Sequence, residues 1–369
     1  MLFRSAVFAV LLARRVPGAF SPGLGLFIAR TLAAAAAMGA ACSAGARLMS
    51  GLPPAAAVLA LVPAGAGLYF LLPPAPSEML KKLTRFYHPK TIEEACQFLG
   101  NGEVRTSVIA GGTSAALRGD SSLEALVDIS HISELNYINK DAAFYRIGAC
   151  TRVQDIYKSP DLKGPAGKLL QTAAGKIGST LLRNAITAGG NLAGLFPWSD
   201  LPVAYMALDA EIVCRRGRPK RTVPVMSLIE TRAPQFLAAN EIIAEIIVPA
   251  YGPETGTAFA KLAKTANDYA MISVAVRLTF KDGAVSQARI AVNAITAQPV
   301  RCLEAEKLLE GKALTEELIA EAANKAVDSI NIRKDIRASE EYRREVFAVM
   351  LRRALTEAFE NASSKGGQL

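Results

Sequence analysis

The chain of 369 residues is long enough for two or three domains, because one hydrophobic core rarely grows past about 250 to 300 residues. Hydrophobic residues make up 51% of it and charged residues 20%, which excludes a disordered polymer. The net charge of +9 comes from 42 Lys and Arg against 33 Asp and Glu, and the basic pairs are scattered along the chain. This scatter argues against nucleic-acid binding.

The five cysteines, at positions 42, 96, 150, 214 and 302, lie far apart and form no C-x-x-C pair. Their spacing argues against an iron–sulfur cluster or a zinc site built by this chain alone. The two histidines add no metal-binding motif. We therefore expect separate reduced thiols and a cytoplasmic protein.

Residues 1–78 differ in composition from the rest of the chain. No charged residue occurs from Leu48 to Ser77, and this length permits one membrane helix or a hairpin of two. Prolines, together with alanine and glycine where a span would have leucine and isoleucine, argue against that interpretation. Three interpretations stay open: a membrane anchor, a soluble helical segment, and a non-native extension before a true start at Met79.

Beyond Met79 the apolar residues predict alternating strands and helices. Helical spacing predicts helices over 91–99, 153–157 and 168–177. Short apolar runs predict strands over 104–109, 126–129 and 145–147. This alternation is typical of a mixed α/β fold.

The clearest local signal lies on either side of Asp282-Gly283, where apolar residues alternate in both directions and predict a β-hairpin over 272–294. Two amphipathic helices are predicted after it, over 316–326 behind Thr315 and over 340–359 behind Ser339. The C-terminal third is therefore predicted to be an α+β module.

Two pairs of glycines carry the functional signal, since the body contains neither G-x-G-x-x-G nor a P-loop. One pair lies in Ala110-Gly111-Gly112-Thr113-Ser114, directly after a predicted strand, and the other in Thr187-Ala188-Gly189-Gly190-Asn191. Consecutive glycines allow backbone N–H groups to converge on phosphate oxygens, and the neighbouring side chains add donors. Either pair alone is typical of a tight turn, whereas both together predict two loops around one pyrophosphate.

The body from Met79 to Phe359 resembles the FAD-binding medium subunit of the molybdenum hydroxylases, a group that includes carbon monoxide dehydrogenase and xanthine dehydrogenase. The resemblance implies an α/β fold with an FAD-binding domain of the p-cresol methylhydroxylase (PCMH) type over 79–252, in two lobes divided near residue 135. A smaller C-terminal α/β domain of the CO dehydrogenase flavoprotein type is implied over 253–369. Besides the glycine loops, the matching motifs are Ile177-Gly178-Ser179, Arg183-Asn184, Ser199-Asp200-Leu201-Pro202, Asn267-Asp268-Tyr269-Ala270 and Arg337-Ala338-Ser339-Glu340.

The same resemblance implies which residues hold FAD. Asp200 is expected to accept a hydrogen bond from the cofactor, unless it caps the helix predicted over 203–208. Ile177, Ile243 and Lys261 are expected along its length, with core packing as the alternative for the isoleucines and a solvated charge for the lysine. Asp268 corresponds to an acidic position near the flavin ring, and pairing with Lys264 is the alternative. One side of the pyrophosphate is assigned to Val108, Ile109, Ala110, Gly111, Gly112, Thr113, Ser114 and Ala115, and the other to Thr187, Ala188, Gly189, Gly190 and Asn191.

The resemblance also implies partners and a function. A large subunit with molybdenum and its pterin oxidises the substrate, a small subunit with two 2Fe–2S clusters relays the electrons, and FAD passes them to an external acceptor. No catalytic acid, base or nucleophile is expected on this chain, and no metal site. Two alternatives stay open: a stand-alone flavin oxidase of the same fold, and a non-enzymatic assembly or membrane-tethering subunit that has lost FAD.

Overall fold

The computed structural model describes residues 82–114, 120 and 122–363. All of them belong to one compact unit, Met79–Leu369. The interpretations of residues 1–78 as membrane anchor, soluble helix or extension fall outside the described residues. Within the described ranges, no helix is both long and apolar enough to cross a bilayer.

The first sheet is parallel and has three strands. Helix α1 (Ile92–Gly100) packs against it with apolar residues at helical spacing, and it begins after Thr91, whose hydroxyl accepts a hydrogen bond from the Glu94 N–H. The first glycine loop follows the strand Thr106–Ile109. It therefore lies at the carboxyl edge of the sheet, where α/β folds bind ligands. The strands are β1 (Arg85–Tyr87), β2 (Thr106–Ile109) and β3 (Ala125–Asp128), in the order β1-β3-β2.

The second sheet is antiparallel and has five strands in the order β4-β5-β8-β6-β7, which are β4 (Ile138–Lys140), β5 (Phe144–Gly148), β6 (Glu211–Arg215), β7 (Lys220–Pro224) and β8 (Ile242–Pro249). Its helices are α2 (Val153–Lys158), α3 (Gly164–Gly175), α4 (Thr180–Ala185), α5 (Ala188–Gly194), α6 (Asp200–Ala207), α7 (Val225–Thr231) and α8 (Ala233–Phe236).

The C-terminal part is a four-stranded antiparallel sheet covered by three helices. Its central hairpin turns at Asp282 and Gly283, which have φ of 52° and 77°, as a type I′ turn requires. The strands are β9 (Thr255–Leu262), β10 (Ile272–Lys281), β11 (Ala284–Asn293) and β12 (Val300–Arg301), in the order β12-β11-β10-β9, and the helices are α9 (Leu303–Leu309), α10 (Glu316–Ser329) and α11 (Glu340–Ser363).

The mixed α/β fold predicted from the sequence is confirmed, and so are the hairpin and both C-terminal helices. The helix predicted over 168–177 is shifted: α3 begins at Gly164, with Pro165 in its first turn, and ends at Gly175. Ile177 therefore lies beyond the helix, in the turn that leads to α4.

Helix α6 lies at the centre of the unit. Every one of its residues is buried, because it packs against α3 and α5 on one side and against β10 and β11 of the C-terminal sheet on the other. A helix that is apolar on all faces is stable only where other elements cover it completely. Its placement connects the helices of the second sheet to the C-terminal sheet.

A buried ionic network fixes the C-terminal end of α6. The guanidinium of Arg277, fully buried in β10, donates to the Ala207 carbonyl at 2.9 Å and to Asp209 at 2.6 Å. Arg289 stands directly opposite Arg277 on β11 and also binds Asp209, at 2.9 Å. Because like charges opposite each other in a sheet repel, Asp209 offsets a repulsion that would otherwise destabilise the hairpin.

We predict that Arg277→Met lowers the free energy of unfolding by about 3 kcal/mol. The value lies at the low end of the range for breaking a buried ion pair, since Asp209 keeps Arg289 as a partner. Urea unfolding of the full-length chain measures the loss. Arg352→Met, at an exposed position of α11, is the control and should change little. Equal stability of the two variants would contradict a stabilising role for the network.

Candidate functional site

One cavity of about 560 Å³ brings both glycine loops together. Its volume lies in the range typical of small-molecule and cofactor sites. The residues predicted from the sequence that line it are Val108, Ile109, Ala110, Gly111, Gly112, Thr113 and Ser114 on one side, Thr187, Gly189 and Gly190 on the other, and Ile243. The structure thus places two segments that are far apart in sequence on facing walls of one site.

The first loop offers backbone donors. Among the described residues, the N–H groups of Gly111 and Gly112 have no hydrogen-bond acceptor. Gly112 has φ of 73°, a conformation that glycine adopts at little cost. A Cβ at Gly111 would lie 1.7 Å from the Ala185 carbonyl oxygen, so the close approach of α4 already requires glycine there.

The second loop has a different role. Thr187 precedes α5 and its hydroxyl accepts a hydrogen bond from the Gly190 N–H at 3.2 Å, while the Ala188 and Gly189 N–H groups donate to Thr151 and Ala149 carbonyls. These N–H groups therefore have protein acceptors, and the converging donors expected from the sequence are absent from this loop as described. What the loop contributes is space, because Gly189 and Gly190 present no side chain to the cavity.

A third wall of the cavity was missed by the sequence analysis. Its residues carry no motif, and most of them are small or apolar. They lie on α8, at the start of β8 and in the segment between these two elements. Arg221 braces this segment with two hydrogen bonds to Glu241, and these hold the pKa of Glu241 below its usual value. The wall consists of Ala233, Pro234, Leu237, Ala238, Ala239, Glu241 and Ile242, together with Leu99 of helix α1 and Arg105, which precedes β2.

Asp200 and Lys261 bind each other and do not line the cavity. The Lys261 ammonium is 2.9 Å from Asp200 Oδ2, with side chains 6% and 2% exposed, so the alternative of a solvated lysine is wrong. The Ser273 hydroxyl donates to Asp200 Oδ1 at 2.5 Å. Burial raises the pKa of Asp200, and Lys261 and Ser273 oppose that rise. The alternative of Asp200 as helix cap is also wrong, because Ser199 is the N-cap and no side chain caps α6.

The remaining predicted residues divide by location. Ile177 is buried in the core and does not line the cavity, whereas Ile243 does both. Asn191 is buried in α5 beside the cavity wall, and its Oδ1 atom has no hydrogen-bond partner. Ala188 is buried in the same helix, and Ala115 lies outside the described residues. Asp268 is exposed, and the described residues contain no ion pair between it and Lys264.

We predict that Gly111→Ala destabilises the protein even without a ligand, by about 3 kcal/mol, because the new methyl group overlaps a backbone oxygen that no side-chain rotation can move. Thermal unfolding of the full-length chain measures this loss. Gly217→Ala is the matched control: its φ is 68° and a Cβ there meets nothing within 4 Å, so only backbone strain of about 1 kcal/mol applies. An equal loss in both variants would rule out the overlap.

The comparisons with known proteins agree with this geometry. Residues 81–251 match the model of the FAD binding domain in molybdopterin dehydrogenase, and residues 257–358 match the CO dehydrogenase flavoprotein C-terminal domain. The glyceraldehyde dehydrogenase medium chain of Sulfolobus acidocaldarius is 31% identical over 276 residues, which are 74% of this chain and 97% of that one. The carbon monoxide dehydrogenase medium chain of Hydrogenophaga pseudoflava is 31% identical over 285 residues, 76% of this chain and 99% of that one.

Solved structures give the same answer. A chain of the carbon monoxide dehydrogenase of Hydrogenophaga pseudoflava, in a form that lacks the Mo-pyranopterin moiety, matches with a TM-score of 0.71 and 32% identity, over 77% of this chain and 99% of that one. The reconstituted CO dehydrogenase of Oligotropha carboxidovorans matches with a TM-score of 0.68 and 28% identity, over 76% of this chain and 99% of that chain. The chain therefore belongs to the family of FAD-binding medium subunits of molybdenum hydroxylases, and it is an oxidoreductase subunit with FAD as its cofactor.

Proposed function

We propose that this chain is the electron-transfer flavoprotein of a molybdenum hydroxylase, which receives electrons from the 2Fe–2S clusters of a small partner subunit and delivers them to an external acceptor. A large partner subunit with molybdenum and pterin supplies those electrons by oxidising the substrate. The observation that carries the proposal is the single cavity with both glycine loops on its walls. FAD bound there supplies the redox chemistry, and the protein sets its position and access.

The residues of the cavity suit the chemical parts of FAD. The N–H groups of Gly111 and Gly112, which have no acceptor among the described residues, suit a pyrophosphate, and the absence of side chains at Gly189 and Gly190 leaves room for it opposite. Asn191 follows Gly190 in α5, and its buried Oδ1 has no donor among the described residues, which supports a polar group of the cofactor nearby. The apolar wall suits a flat aromatic ring.

The relatives support an assembly of several subunits. Four of the first six bear the names medium chain, medium subunit or FAD-subunit, the other two are named subunit alpha and subunit beta, and this chain covers at least 93% of five of the six. Cytoplasmic assembly is supported by the four described cysteines, which are all free and buried. The assignment of Ile177, Asp200 and Lys261 to FAD stays a prediction, because none of them lines the cavity.

We predict that the full-length chain binds one FAD and that Gly190→Val weakens this binding by a few kcal/mol. Because about 1.4 kcal/mol corresponds to a tenfold change, the Kd should rise a hundredfold or more. A Cβ at position 190 would lie 2.7 Å from Thr187 Oγ1, and the valine side chain would take up space in the cavity that Gly190 lines. Absorbance titration in the flavin region measures the Kd. Ala142→Val, at an exposed turn, is the control. A colourless protein with no saturable uptake would contradict the proposed cofactor and favour an assembly subunit.

We also predict that the tagged chain, isolated from its own cells, brings molybdenum and iron with it, since the proposed partners hold both metals. Metal analysis after gel filtration at the size of the complex measures this. The substrate of the complex should reduce the flavin only when the partner subunits are present. A yellow protein that is isolated without molybdenum and iron and oxidises a small molecule alone would identify a stand-alone flavin oxidase.

A further inference from the structure

Three buried polar side chains form one row across the C-terminal sheet. Lys261 on β9 stands directly opposite Ser273 on β10, and Ser273 stands directly opposite Asn293 on β11. Direct partners in neighbouring strands point to the same face of a sheet. Ser273 and Asn293 are fully buried, and the Lys261 side chain is 6% exposed. The sheet face that packs on α6 thus presents an ammonium, a hydroxyl and an amide side by side at the start of the helix, as it presents Arg277 and Arg289 at the end of the helix.

All three side chains of the row bind the same two residues at the start of α6. Lys261 and Ser273 hold the two carboxylate oxygens of Asp200, at 2.9 Å and 2.5 Å. The Asn293 amide donates to the backbone carbonyl of Ser199 at 3.0 Å. Every member of the row is therefore used, and the start of α6 is fixed by three independent contacts from three strands.

The same two residues are connected to the cavity. The Asn191 amide donates to the Ser199 hydroxyl at 3.3 Å, and Asn191 lies in α5 directly after Gly189 and Gly190, which line the cavity. The side chains of Asn191 and Asn293 thus approach Ser199 from opposite domains, and each has an Oδ1 atom with no partner. The backbone between Ser199 and Asp200 therefore connects the two sides, because Ser273 and Asn293 bind these two residues from the C-terminal sheet and Asn191 binds Ser199 from α5.

A purely stabilising role explains this row poorly. Buried ion pairs and buried hydroxyls contribute little net stability compared with apolar residues of similar volume, because desolvation of the charges offsets their attraction. Such groups are retained where they fix one geometry among several. Here the geometry that they fix is the position of α5, which has space but no donors of its own for the cofactor.

We propose that Ser273 and Asn293 are positioning residues for FAD, which act through Ser199, Asp200 and Asn191 to hold the second glycine loop against the cofactor. This inference rests on the proposed function, since it assumes that FAD occupies the cavity. It gives the C-terminal sheet, which contributes no residue to the cavity wall, a defined part in cofactor binding.

The test compares Ser273→Ala with wild type in the full-length chain. Removal of a hydrogen bond to a carboxylate is expected to raise the Kd for FAD about tenfold and to change the visible circular dichroism of bound flavin, because the ring environment becomes less uniform. Ser273→Thr, which keeps the hydroxyl, should restore both. Ser286→Ala, on β11 with its hydroxyl bound to a backbone carbonyl at the exposed edge, is the matched control and should change neither.

A double-mutant cycle with Asn191→Ala tests the path itself. If Ser273 acts through Ser199 and Asn191, the double variant should lose less affinity than the product of the two separate losses. Multiplicative losses would overturn the proposed path. The positioning role would be overturned if Ser273→Ala lowered the melting temperature of the apoprotein but left the Kd and the dichroism unchanged. Failure of wild type to bind FAD would refute the proposed function instead, so the two failures are distinguishable.

Discussion

The structure depends on the burial of one helix, α6, between the FAD-binding sheets and the C-terminal sheet. Its sides are entirely apolar, and its two ends are held by ion pairs that the C-terminal sheet supplies. At the N-terminal end Lys261 binds Asp200, and at the C-terminal end Arg277 binds Asp209 and the Ala207 carbonyl. A carboxylate in the first turn and a guanidinium at the last carbonyls are both favourable to the helix dipole. The helix is therefore fixed along its length and at both ends.

The two glycine loops resemble each other in sequence but differ in what they offer. In the first, the N–H groups of Gly111 and Gly112 have no acceptor among the described residues, and we propose that they donate to the cofactor. In the second, the N–H groups donate to the Thr187 hydroxyl and to carbonyls of neighbouring segments. Its glycines have no side chain, so it presents an unobstructed surface to the cavity. Under the proposed function, the first loop donates hydrogen bonds to the cofactor and the second leaves room for it.

Much of this site could be predicted from sequence because its signals are local. Turn residues mark the hairpin at Asp282-Gly283, and glycine pairs mark the loops whatever the rest of the chain does. The strand β8 was missed because it is buried on both faces and its isoleucines do not alternate with polar residues. The apolar wall from Ala233 to Ile242 was missed since its composition is that of any core segment. Lys261, Ser273 and Asn293 form a row only through strand register, which no single segment of the sequence encodes.

The burial of α6 also has a consequence for folding. The boundary between the two matched family segments, near residue 251, separates regions of sequence but cuts through a shared interior. A polypeptide ended there would expose one apolar flank of α6 and leave the carboxylates of Asp200 and Asp209 without their cationic partners from the second segment. Because the two segments share this interior, we expect them to unfold together rather than one after the other.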